Sequence, residues 1–204
     1  MLKRVTAAII LASVAALLLA GVTYYYLQRN PAQLSATLKV SYSVIEDLEI
    51  LSTARKLIEA QLPVLAKFGV KLSVDWLSVD IAVLKVTVEL TNNDVQPVYY
   101  ETNHYCGVEL VNSTELEPLS WKVDFPVAKL EVIVEEGEKF SLLVFCTADL
   151  TYRILQPGAS TAREYYYIVT KPFKGVVKAT ATVCTSLMGS ECRVLESIVE
   201  VVVQ

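Results

Sequence analysis

No charged residue occurs between Val5 and Gln28, whereas Lys3, Arg4 and Arg29 bracket that run. Val5–Leu27 is 23 residues. At about 1.5 Å per residue a helix of this length spans about 34 Å, enough to cross a hydrocarbon core of about 30 Å. Only Thr6, Ser13, Gly21 and Thr23 interrupt its Ala, Ile, Leu and Val residues, and Tyr24, Tyr25 and Tyr26 lie at one end. Tyrosine rings favour the boundary between lipid and water. The cations at Lys3 and Arg4, with no acid before Glu46, place the N-terminus in the cytoplasm by the positive-inside rule. Residues 30–204 are then extracytoplasmic. A cleaved secretory signal is the alternative. Cleavage after Ala20 would put Leu18 at the −3 position, and cleavage after Thr23 would use Gly21 and Thr23. Leu19-Ala20-Gly21 opens like a lipoprotein signal, but Val22 stands where the lipidated cysteine is required. The uncleaved anchor is preferred, and both readings export the remainder.

The sequence divides into an anchor at 1–29, a connecting strand and amphipathic helix at 30–69, and a β-domain at 70–204. The hydrophobic content of 53% excludes disorder, and 7 Gly with 7 Pro exclude collagen-like or linker-like chains. With a net charge of −4 and three cations among residues 1–29, the remaining chain carries −4 − 3 = −7. Such an acidic domain repels phosphate backbones, so no nucleic-acid partner is expected.

Leu38, Val40, Tyr42 and Val44 alternate with polar residues, as in a half-buried strand. From Ile45 the apolar spacing changes to three and four through Leu48, Leu51, Ala54, Ile58, Leu62 and Leu65, the stripe of an amphipathic helix. Gly69 is the expected stop, and Pro63 is expected to kink or divide the helix. From Val70 onward the chain reads as strands. The clearest are Ile81–Leu90, Val98–Tyr100, Val108–Val111, Leu130–Val134, Phe140–Phe145, Tyr165–Val169, Val176–Val183 and Val194–Val203. Turn residues separate them, Gly137 among them, and no long helical pattern intervenes. The expected fold is mainly β, an antiparallel β-sandwich preceded by one transmembrane and one amphipathic helix.

Four cysteines, Cys106, Cys146, Cys184 and Cys192, suit an oxidising compartment and allow three pairings. Seven residues separate Cys184 from Cys192, a loop that two adjoining strands would close, which leaves Cys106 for Cys146. A zinc site would need close pairs such as C-x-x-C, and there are none. His104 is the one histidine, so any nucleophile–histidine relay must use it. No G-x-S-x-G or phosphate-cradling glycine pattern is present. Asp75 and Asp80 would fall on opposite faces of one continuous strand. Asn92, Asn93 and Asp94 offer oxygens for Ca²⁺ but lack EF-hand spacing, so a polar turn is expected. Glu131, Glu135, Glu136 and Glu138 read as a solvated edge and turn. Tyr165, Tyr166 and Tyr167 should alternate between faces, leaving at least one ring exposed or at an interface. Asn112-Ser113-Thr114 is a glycosylation sequon. No catalytic residue, metal or cofactor is expected.

Leu155-Gln156-Pro157-Gly158-Ala159-Ser160, a Tyr-rich strand, and then Lys174 through Ala181 resemble the end of many immunoglobulin-like surface domains. There "L-x-P-G" turns into a strand and "G-x-Y-x-x-x-A" opens the next; Val177 stands where those domains often carry Tyr. With Val86 through Asn92 as the earlier "V-x-V-x-N" strand, the layout is similar to intracellular-proteinase-inhibitor-like domains. This resemblance implies an immunoglobulin-like sandwich and, by analogy alone, a proteinase-inhibitor-like module. The Val- and Tyr-rich, His-poor composition also resembles archaeal surface proteins. The expected function is non-enzymatic: binding or structural work in an envelope, in adhesion or in a membrane complex. Its partners would be the membrane and other proteins, or further copies of the chain. A pilin-like filament subunit is the alternative, since archaeal pilins also place an apolar helix before a β-sandwich.

Overall fold

Polar alternation and turn chemistry dictate most of the secondary structure in the computed structural model, which describes residues 34–108, 123–140, 142, 144–187 and 191–204. The anchor segment at 5–27 and the sequon at Asn112 lie outside the described residues. Among the described residues no helix is long and apolar enough to cross a membrane.

The first alternating run forms strand β1 (Ala36–Ile45). Helix α1 (Leu48–Lys67) follows after Asp47, whose carboxylate accepts from the amides of Glu49 and Ile50 at 3.0 and 3.2 Å. That cap satisfies amides with no partner inside the helix, so Ile45 closes the strand instead of opening the helical stripe. Pro63 neither kinks the chain into two helices nor ends it. Pro63 and Glu59, whose carbonyl loses its partner, are both exposed, so water can hydrate the freed group. Gly69 (φ 70°) stops the helix, its amide bonding Ala66 while the Val70 amide bonds Leu65. This is a Schellman closure, which the left-handed glycine makes accessible.

Residues 70–80 are turns, not strands. Asp75 organises them: it accepts from the Leu77 amide at 3.2 Å and the Ser78 hydroxyl at 2.9 Å. Arg55 of α1 donates to the carbonyls of Trp76 and Val79. Local side-chain bonding thus overrides a weak alternating pattern, and Asp75 and Asp80 do not share a strand.

Strands β2 (Ile81–Asn92), β3 (Val98–Asn103), β4 (Tyr105–Val108), β5 (Val123–Asp124), β6 (Lys129–Glu136) and β7 (Val144–Cys146) follow. The chain continues with β8 (Leu150–Leu155), β9 (Ser160–Thr170), β10 (Phe173–Cys184) and β11 (Cys192–Val203). Strand β8 has no counterpart in the sequence reading, since Arg153 and Thr151 interrupt a short apolar set. All pairings are antiparallel. A first sheet has the order β1-β2-β9, and a second the order β11-β10-β3-β8, with β6 also on β10. A small third sheet has the order β5-β4-β7. The strand and helix assigned from sequence to a connector therefore belong to the same unit, Ser35–Gln204. Gly137 (φ 79°) makes the turn after β6, where an added Cβ would meet the Pro172 carbonyl oxygen at 2.4 Å.

The first sheet is buried on both faces along its central strand β2. One face places Ile81, Val83 and Ile168 in a cluster with Ala54, Leu57, Ile58 and Leu65 of α1, closed by Trp76 and Phe140 edge to face at 5.1 Å. The other face buries Leu84, Val86, Val88 and Leu90, and the second sheet buries Val177, Ala179, Ala181 and Val183. Where β1 meets β11, the Val40 amide donates to Ser197 Oγ at 3.2 Å and the Val202 amide to the Tyr42 hydroxyl at 3.4 Å. Cys106 pairs with Cys146 and Cys184 with Cys192. Each bridge joins residues directly opposite in register, β4 to β7 and β10 to β11.

Candidate ligand cavity

Strand β10 has one edge for two strands. Its Lys174–Thr180 stretch pairs with β6, and Val183 and Cys184 pair with β3. Between these pairings, beside Thr180, Ala181 and Thr182, lies a cavity of about 650 Å³. Its size falls in the range that accommodates small molecules. The ends of the two diverging strands supply Thr102, Asn103, Lys129 and Leu130, and the small third sheet supplies Cys106, Val123, Val144 and Cys146. The Cys106–Cys146 bridge is thus part of the wall.

Tyr165 and Tyr167 of β9 contribute the aromatic lining, with Tyr166 between them at the wall, and all three are half-buried. By register, Tyr165 opposes Val86 and Tyr167 opposes Leu84, so both point to the inter-sheet side, while Tyr166 opposes Lys85 and points to the helix side. The Tyr165 hydroxyl donates to the Ala128 carbonyl at 3.2 Å. Burial pushes its ionisation up to about 12, and burial also raises that of Tyr167. Both phenols are therefore neutral hydrogen-bonding groups at physiological pH. The Lys139 ammonium lies 5.7 Å from the Tyr167 ring centre. Burial lowers its pKa, opposed by the nearby Glu131 carboxylate. The Thr102 hydroxyl is spent on the Pro126 carbonyl at 2.5 Å. Glu101, Asn103 and Lys129 remain as polar groups among mostly apolar walls, an arrangement that orients an apolar ligand by a few polar contacts.

Next to Asn103, His104 stands edge-on to Phe125 at 4.6 Å, and the Arg153 guanidinium lies 3.2 Å over that ring. Phe125 has φ 50°, a region that costs a bulky residue on the order of 1–3 kcal/mol and persists only where surroundings hold it. The His104 carbonyl accepts from the Phe125 amide at 2.9 Å. Its neighbour Pro126 lines the cavity, so the strained turn sets one wall. Asp149 is held below the usual carboxylate range, first by the Thr147 hydroxyl and also by His104.

Of the residues singled out from sequence, Cys106, Cys146 and the three tyrosines meet at the cavity, with His104 beside it. Cys184–Cys192 closes the far end of β10 and β11, and Asp75 belongs to the turn under α1. Asn92 is buried, donating to Gln96 and Leu155 carbonyls at 2.8 and 2.9 Å and accepting from the Asp94 amide at 2.8 Å. Its oxygen serves the turn. Among the described residues no group of three His, Cys, Asp or Glu is placed to hold a metal. Of the glutamates, Glu135 pairs with Lys174 at 2.8 Å. Sequence reading missed Thr102, Leu130, Leu142 and Thr180, because only long-range strand register brings them together.

No family model and no curated protein matches the chain. Among solved structures it is similar to the X-ray structure of Northeast Structural Genomics Consortium target SoR45, at 11% identity and TM-score 0.42 over 83% of this chain and 87% of that one. It is also similar to the putative ApaA protein from Bordetella pertussis, at 10% identity and TM-score 0.37 over 81% and 93%.

Proposed function

We propose that this protein is a non-enzymatic, membrane-anchored binding module, exposed outside the cytoplasm, that holds a small, mostly apolar ligand between β3 and β6. The observation that carries the reading is the cavity itself: 650 Å³ with tyrosine, leucine and valine walls and a few polar groups at Glu101, Asn103 and Lys129. The uncharged run at 5–27 supports the anchor, and two disulfides support an oxidising compartment. The immunoglobulin-like resemblance belongs with this reading: its "L-x-P-G" residues form the turn from β8 to β9, where Gly158 has φ 70°. Such a scaffold suits an envelope component, an adhesin or an accessory subunit of a membrane complex.

The test is native mass spectrometry of the full chain extracted from its own membranes. A bound small molecule is expected, and Thr182→Trp, which puts a bulky ring in the cavity lining, should remove it while leaving the thermal midpoint at that of the ligand-free chain. A ligand retained by Thr182→Trp, or a chain that never carries one, would overturn the assignment.

A further inference from the structure

Among the described residues strand β8 ends the second sheet, and it lacks the devices that keep an edge strand from pairing. It has no proline and a single charge, Arg153, and no bulge interrupts its register with β3. Leu150, Tyr152 and Ile154 alternate along one of its faces at 65%, 38% and 52% exposure. By register they share that face with Tyr99, Glu101 and Asn103 of β3.

We infer that β8 is the contact between two copies of this chain, paired antiparallel edge to edge about a two-fold axis at Thr151. The residues select both the partner and the register. A two-fold contact must be self-complementary, and a register that keeps apolar residues on one face must oppose positions of like parity. With Thr151 facing its own copy, Leu150 faces Tyr152 of the partner subunit and Asp149 faces Arg153 of the partner subunit, each twice. Threonine–threonine, aromatic–aliphatic and opposite-charge pairs are the cross-strand combinations that stabilise antiparallel sheets. Moving the axis to Arg153 would set two guanidinium groups against each other. Moving it to Tyr152 would leave Asp149 only a diagonal neighbour of the cation. Asp149 and Arg153 are both exposed, and the pairing would have to share the Asp149 carboxylate with Thr147 and draw on an Arg153 guanidinium that stacks on Phe125 within one copy. The contact borders the cavity at Leu150, which lines it, whereas Tyr152, Arg153 and Ile154 do not, so substitutions at Arg153 test the pairing apart from the ligand.

All cysteines among the described residues are in disulfides, so one introduced thiol reports cleanly. The full chain carrying Thr151→Cys should form a covalent dimer under mild oxidation, because directly opposed strand residues lie about 4.5–5.5 Å apart at Cα, within disulfide reach. Ile198→Cys, at a more exposed position on β11, should not. Arg153→Asp should weaken dimerisation by about tenfold or more through like-charge opposition. The double variant Asp149→Arg with Arg153→Asp should restore it, which a merely misfolded edge would not do. Equal cross-linking at both positions, no dimer of the full chain at any concentration, or failure of the double variant to recover would each overturn the inference. So would a dimer that Arg153→Asp leaves untouched, because association would then run through another surface.

Discussion

Strand β9 passes through two different environments within four residues. Ile168 is fully buried in the cluster beneath α1, whereas Tyr165 and Tyr167 are half-buried against the cavity. The helix side is built from contacts whose positions follow from a capped helix and one turn. The cavity side depends on where two strands part along β10. A sealed apolar cluster stabilises; a divided strand edge makes room. The same sheet does both because its two faces pack against different partners.

Cutting the cavity wall should have the largest effect. Replacing Cys106 and Cys146 by serine opens a loop with a sequence separation of 40 and is expected to cost about 4 kcal/mol in the chain-entropy model. The same change at Cys184 and Cys192, separated by 8, should cost about 2.5 kcal/mol. Chemical denaturation of both variants measures the contrast, and ligand loss should accompany only the first.

On the sealed side, Leu57→Ala removes a side chain of 0% exposure and should destabilise by about 2–5 kcal/mol. Thermal unfolding would show this, while ligand retention stays unchanged. Loss of ligand in this variant would mean that the two faces are coupled. Asp47→Ala, which deletes the α1 cap, should cost about 1 kcal/mol, read by the same melt.

Alkaline pH adds to the comparison, because raised phenols lie on both sides of β9, Tyr165 against the cavity and Tyr166, pushed up to about 12 first by burial, on the helix side. Tyr165 ionises near 12 in the folded chain against 10 when free, so the folded state binds more protons between these values. Its contribution is fully present below pH 10 and falls as pH rises toward 12. Tyrosinate absorbance should lag behind that of the denatured chain, and denaturation midpoints should decline over the same interval. A midpoint flat from pH 10 to 12 would show that Tyr165 is not held neutral by burial.

Much of the sheet framework was legible because it follows local rules. Val86, Val88 and Leu90 alternate and are buried on one face. Asp47 lies beside Leu48, and Gly69 follows the last turn of α1. Other features failed where a local rule met a different environment. Pro63 is tolerated because its side of the helix faces water, and Asp75 turned an apparent strand into a tight bend. Strand β8 was hidden by its own exposure, since an edge strand need not alternate with charge. The candidate cavity left two traces, the run Tyr165-Tyr166-Tyr167 and the cysteines Cys106 and Cys146. Its other walls come from pairings such as Thr180 with Lys129 and Cys184 with Tyr99, which no short window of sequence contains.

The place of β11 has a consequence for how the chain is made. Residues 192–203 pair along the whole of β10 and supply Ser197 and Val202 to β1, yet they are synthesised after every strand they complete. Until they emerge, β10 has a bare edge over twelve residues, and the amide of Val40 lacks its hydroxyl partner. The second sheet therefore closes only once residues 192–203 have been made, after the helix cluster has all of its parts. A chain stopped at Glu191 would carry a long unpaired strand rich in valine, the kind of edge that recruits other chains. Folding factors would have to act on that late intermediate, before β11 docks.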